Sequence, residues 1–118
     1  MNERTENIKT KEAKNTEKLL TKWAKLINEL KDDEEKLKRT KKHYDYRENI
    51  ILTKTDFNKL YNANNDKIRK AHIRKELKNT IEQKEQLELK IEDSKRKISF
   101  LKAATYAQVE LMKLHSGG

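Results

Sequence analysis

Lysine and arginine carry the chemistry that this chain has to offer. Residues 36 to 75 hold 13 Lys or Arg against four acids, Asp45, Glu48, Asp56 and Asp66; the remaining residues hold 16 of each sign. The whole formal excess of +9 therefore falls in one stretch. Like charges gathered in this way repel one another, so the clustering calls for an anionic partner. The candidate contacts are Lys38, Arg39, Lys41, Lys42 and Arg47 in one run and Lys67, Arg69, Lys70, Arg74 and Lys75 in another. Four of the seven aromatic residues, Tyr44, Tyr46, Phe57 and Tyr61, lie in the same stretch, with His43 and His72. Cations neutralise phosphates and aromatic faces stack on unpaired bases, so the combination fits a nucleic-acid contact. An acidic protein surface would ask for the same cations, and a solvated basic face asks for no partner. Tyr44 falls on an apolar repeat, and Phe57 and Tyr61 also suit the packing of a turn.

Other chemistries lack their residues. The chain has no cysteine, which excludes disulfides, thiolate ligands and thiol nucleophiles. His43, His72 and His115 have no ligand-spaced partners, so no metal and no other cofactor is expected. The run Asp32-Asp33-Glu34-Glu35 reads as a solvated face beside Lys31, Lys36 and Lys38. Both glycines are at positions 117 and 118, so there is no glycine-rich phosphate loop and no nucleophile elbow. The expectation is a non-enzymatic protein without a small-molecule substrate. No stretch approaches the ~20 apolar residues of a membrane span, and Met1-Asn2-Glu3-Arg4-Thr5-Glu6 precedes no apolar signal region. The expected location is the cytoplasm.

The elements that position the cations must be helices. Charged residues are 42% of the chain and hydrophobic ones 33%, too few for a thick core. Yet there is no proline, and the chain is rich in Glu, Lys, Leu and Gln, which lose little side-chain freedom in a helix. Trp23, Leu30, Leu37, Tyr44 and Ile51 recur every seven residues, as in a helix that keeps one stripe against a partner. This predicts a first helix over about 5–50, capped by Thr5. The second series is Leu77, Lys84, Ile91, Ile98, Thr105 and Met112, with Ile73, Thr80, Leu87, Ser94 and Leu101 as companions. It predicts a second helix over about 66–114. Between them, about 51–65, the Thr, Asp and Asn clusters are turn and cap chemistry, with room for one helical turn at Phe57–Tyr61.

Two helices of matched length, each roughly 70 Å, predict a single all-α domain over 1–118, an antiparallel two-helix coiled-coil hairpin. A turn centred near residues 58 to 59 sets Trp23 near Ser94 and Lys84 opposite Asp33 and Glu34. The end carrying the termini is broad and apolar, through Leu19, Leu20, Trp23 and Ile27 on one helix and Phe100, Leu101, Ala104, Ala107 and Leu111 on the other. Apolar surface beyond what one seam covers predicts a homo-oligomer through that end.

The run Asn64-Asn65-Asp66-Lys67-Ile68-Arg69-Lys70-Ala71, followed by a charged coil ending in Lys97-Ile98-Ser99-Phe100-Leu101-Lys102, resembles a kind of small phage protein. These are helical-hairpin accessory proteins from early or recombination regions of phages and prophages of low-GC Gram-positive bacteria. The resemblance covers about half the chain and implies a role near DNA replication, recombination or host takeover, in the host cytoplasm. It carries over no functional residue. Three readings follow: a nucleic-acid-binding accessory protein, an adaptor or inhibitor directed at a host defence, nuclease or replication protein, or a structural coiled-coil spacer.

Overall fold

The computed structural model describes the backbone of residues 3–117 and the side chains of residues 10–115. Every element among the described residues is a helix: α1 (Glu3–Lys54), α2 (Phe57–Tyr61), α3 (Asp66–Glu76) and α4 (Lys78–Gly117). The first helix starts at Glu3, so Thr5 lies inside it and does not cap it. α1 and α4 are in contact, and the chain divides into two compact units. Unit 1 comprises residues 1–32 and 91–118, and unit 2 residues 33–90.

In unit 1 the half-buried or buried positions of α1 are 12, 16, 19, 23, 26, 27 and 30, and those of α4 include 91, 94, 98, 101, 105 and 112. The alternating steps of three and four are those of a coiled-coil seam. The seam is apolar at Ile91 but polar at Glu12, Ser94 and Thr105, all buried. Thr16 Oγ1 lies 3.1 Å from Met112 Sδ, and the Glu12 carboxylate meets His115 Nδ1. This register differs from the expected one. Counting on from Thr16 and Met112 carries Trp23 to the level of Thr105, not Ser94.

In unit 2 the seam continues through Leu37, Thr40, Tyr44, Glu48 and Ile51 of α1, with Ile73, Leu77, Thr80, Lys84 and Leu87 on the other side. Leu77, at 1% exposure, is the best-buried apolar side chain. Asp33 is 2% exposed, so the acid run is not wholly a solvated face. Its Oδ1 accepts from Lys90 Nζ at 3.3 Å, six residues beyond the lysine expected there, Lys84. Lys84 pairs instead with Glu88 at 3.9 Å. Asp33 Oδ2 is buried with no hydrogen-bond partner, a cost only partly offset by the Lys90 ammonium.

The connection is built from caps and one short helix. α1 runs to Lys54, and the Thr55 N–H closes its last turn onto Ile51 O at 3.1 Å. Asp56 caps α2 by accepting from the Lys59 N–H at 3.1 Å. α2 ends at Asn62, which adopts the left-handed conformation (φ 56°) that Asn tolerates better than most residues, and its N–H reaches Asn58 O at 2.9 Å. Asn65 then caps α3, accepting from the Ile68 N–H at 3.0 Å.

One further departure breaks the second predicted helix into α3 and α4. Leu77 leaves helical geometry (φ −108°, ψ 20°), yet its N–H bonds Ile73 O at 2.8 Å and its carbonyl accepts from Ile81 N at 2.9 Å. Leu77 thus keeps one bond into α3 and one into α4 across the break. No helix among the described residues is long and apolar enough to cross a membrane.

Candidate nucleic-acid interface

All ten candidate contact residues belong to unit 2. On α1, Lys38, Arg39, Lys41, Lys42 and Arg47 are exposed; on α3, Lys67, Lys70, Arg74 and Lys75 are exposed and Arg69 is half-buried. Two helices far apart in sequence thus contribute cations to one body. Arg74 of α3 is close enough to act electrostatically on the Tyr44 hydroxyl of α1.

The ten are not equivalent. Arg69 donates to Asp66 Oδ1 at 2.5 Å and to Asn64 Oδ1 at 2.7 Å. Its guanidinium thereby braces the start of α3, and its hydrogen bond and charge hold the Asp66 carboxyl below its ordinary range, helped by Lys70. The acid at the first turn and Arg74 and Lys75 at the last both suit the helix dipole. Arg69 is a brace more than a free contact.

The aromatic residues divide in the same way. Phe57 is 2% exposed and meets the His72 ring edge-on, centroids 5.4 Å apart. Tyr61 lies 5.4 Å from His72 by centroid, and its hydroxyl hydrogen-bonds His72 Nδ1. These three rings join α2 to α3 and form the core of the connection. Tyr44 is half-buried; burial, a hydrogen bond donated to Glu48 and the nearby charges of Glu48 and Asp45 raise its pKa above 10.0, against the pull of Arg74. Within the basic stretch Tyr46, at 65% exposure, is the most open tyrosine ring, whereas Tyr61 is exposed but tied to His72. Tyr46 stands one helical turn after Lys42 and two after Arg39, so a stacked base there would have both cations on its N-terminal side.

Beside this face lies a groove of about 430 Å³ whose lining includes Lys36, Arg39, Gln83, Gln86 and Lys90. Lys36, Gln83, Gln86 and Lys90 were not among the candidates. The signal existed in the sequence: Asn79, Gln83, Gln86 and Lys90 each precede a seam residue by one position, which sets them in a row along the seam's edge.

The predicted association residues of unit 1 divide between seam and surface. Leu19, Trp23, Ile27, Leu101 and Ala104 are half-buried, whereas Leu20, Phe100, Ala107 and Leu111 are exposed. Among the described residues no three His, Asp or Glu side chains gather as a metal ion would require.

No family model, curated protein or solved structure matches this chain. The resemblance to phage hairpin proteins therefore stays with the residues that carry it. The functional reading has to come from the chain's own chemistry.

Proposed function

We propose that the chain is a non-enzymatic accessory protein that binds nucleic acid through the cationic end of an antiparallel two-helix hairpin. The observation that carries this reading is the excess of 13 basic over four acidic residues between 36 and 75. Exposed cations from α1 and α3 share one unit, and the action of Arg74 on Tyr44 supports their lying side by side. Lys38, Lys41, Lys42 and Arg47 take phosphates from one helix, and Lys67, Lys70, Arg74 and Lys75 from the other. Lysine-rich contacts favour backbone over base-edge recognition, since a lysine is a point charge without the fork of arginine. The test is retention of labelled single- and double-stranded DNA and RNA at low salt, followed by a salt titration. Neutralising four to six phosphates gives a slope of log K on log salt of roughly −3 to −5. No retention of any probe at low salt removes the reading.

Self-association through unit 1 is the second part of the proposal. Phe100, Ala104, Ala107, Leu111 and Leu114 follow one another at steps of four and three, a stripe one position off the α4 seam. Phe100 is 75%, Leu111 45% and Leu114 71% exposed, more apolar surface than an isolated helix pair usually leaves open. Sedimentation of the wild type against Phe100→Glu/Leu111→Glu tests it, with a fall in mass expected for the variant. An adaptor docking on an acidic protein surface would use the same cations. A partner that stays bound after nuclease treatment favours the adaptor.

A further inference from the structure

The groove in unit 2 has a chemistry that phosphate binding alone does not require. We propose that it takes an unpaired base of a single-stranded nucleic acid, with the flanking phosphates on Lys36, Arg39 and Lys90. This rests on the nucleic-acid reading above and narrows its substrate to single strands.

The charged groups lining the groove are all cationic. Lys90 is fixed by its bond to the buried carboxylate of Asp33, yet its own side chain stays 59% exposed, so it is positioned without being covered. Arg39, Gln83 and Gln86 are exposed too. A phosphate site needs only cations. Two carboxamides add donor and acceptor groups side by side, the pattern that matches the edge of a base. Asn79 precedes Gln83 by one helical turn and extends the row of amides toward the connection. Half-buried Leu87 adds an apolar surface for a base plane, and the Arg39 guanidinium offers a flat cation to stack on one. At about 430 Å³ the groove is within the range of ligand-sized clefts.

Shape selects the single strand. In a duplex the base edges lie at the floors of the grooves, where only a protruding helix, strand or arm reaches them. A recess between two helices does the reverse and receives what protrudes from its partner. Bases protrude when they are splayed from an unpaired strand.

The test compares a short fluorescein-labelled single-stranded DNA with the same sequence as a blunt duplex, by anisotropy on the full chain. The single strand is expected to bind about 5-fold tighter or better, and Gln83→Ala/Gln86→Ala to remove ~5–10-fold from single-strand affinity alone. Both glutamines are exposed on a helix where alanine is favoured, so the circular dichroism of the double variant should match wild type. Its salt slope should also match, because no phosphate contact is lost. Equal affinity for the two probes, or wild-type single-strand binding by the double variant, overturns the groove while leaving the cationic face standing. Failure to retain either probe removes both.

Discussion

The two units share one seam pattern and differ in what they bury and in how their charges are grouped. Unit 1 exposes apolar residues, Leu20, Phe100, Tyr106, Leu111 and Leu114. Unit 2 leaves Tyr46, Leu52, Leu60, Tyr61 and Leu89 open as well, but it holds the basic stretch of residues 36 to 75 and buries three apolar anchors, Phe57, Ile73 and Leu77. Unit 2 also has four capped or closed helix ends within residues 54 to 66, which unit 1 lacks among its described residues. The contrast teaches that a polar chain can tolerate concentrated like charge where packing and caps hold the backbone.

The comparison breaks most sharply in a binding experiment. Reversing Lys41, Lys42, Lys67 and Lys70 to Glu should lower nucleic-acid affinity by about 100-fold or more at low salt, because each reversal removes one phosphate contact and adds one repulsion. Reversing Lys22 and Lys25 of unit 1 should change it about 2-fold at most, at separations where salt screens the charge. Similar losses from both variants would mean that the units share the binding surface.

Stability offers the next contrast. Leu77→Ala removes a side chain at 1% exposure and should cost ~2–4 kcal/mol, read as a shift in the urea midpoint. Leu89→Ala, starting from 66% exposure, should fall within ~0.5 kcal/mol of wild type. A small loss at Leu77 would show that the kinked residue is a loose fit.

Asp33→Leu should stabilise the chain by ~1 kcal/mol, since it removes a buried carboxylate oxygen without a partner and leaves Lys90 mostly in water. A lower midpoint for this variant would show that the ion pair is worth more than its desolvation cost.

The smallest effects come from titration. Tyr44 has its folded pKa raised, so it contributes stability that is present below its unfolded value near 10.0 and is lost as pH rises through the folded one. Ultraviolet titration should show one tyrosine ionising late, and Tyr44→Phe should remove that late step. Asp66 is shifted the other way: its contribution is present above its unfolded value of 3.8 and is lost as pH falls through the lower folded one. Full exposure and salt screening keep that contribution slight.

The seam was legible in the sequence. Trp23, Leu30, Leu37, Tyr44 and Ile51, and the second series from Ile73 to Met112, are all buried or half-buried. Spacing by sevens reports which face of a helix is covered whatever covers it. Register was not legible, because a heptad pattern fits its partner nearly as well after a slide, and the offset depends on chain consumed between the helices. Asn62 in a left-handed conformation shapes the path between the helices, and turn composition alone does not give that path. Asp33 was missed for a related reason. It sits three residues after Leu30 and four before Leu37, which is a seam position, but its neighbours Asp32, Glu34 and Glu35 made it look like part of a water-facing run. The groove amides were missed because glutamine on a helix is ordinarily unremarkable; only the covered partner face gives the row 79, 83, 86 a direction.

The kink at Leu77 has a consequence for engineering. Its N–H bonds into α3 and its carbonyl into α4, so the two helices are phased to each other through a single residue. Adding one alanine just before Leu77 would turn α3 by about 100° about its axis. Lys67, Lys70 and Arg74 would swing together to another azimuth with their charge unchanged, which separates the amount of positive charge from its aim.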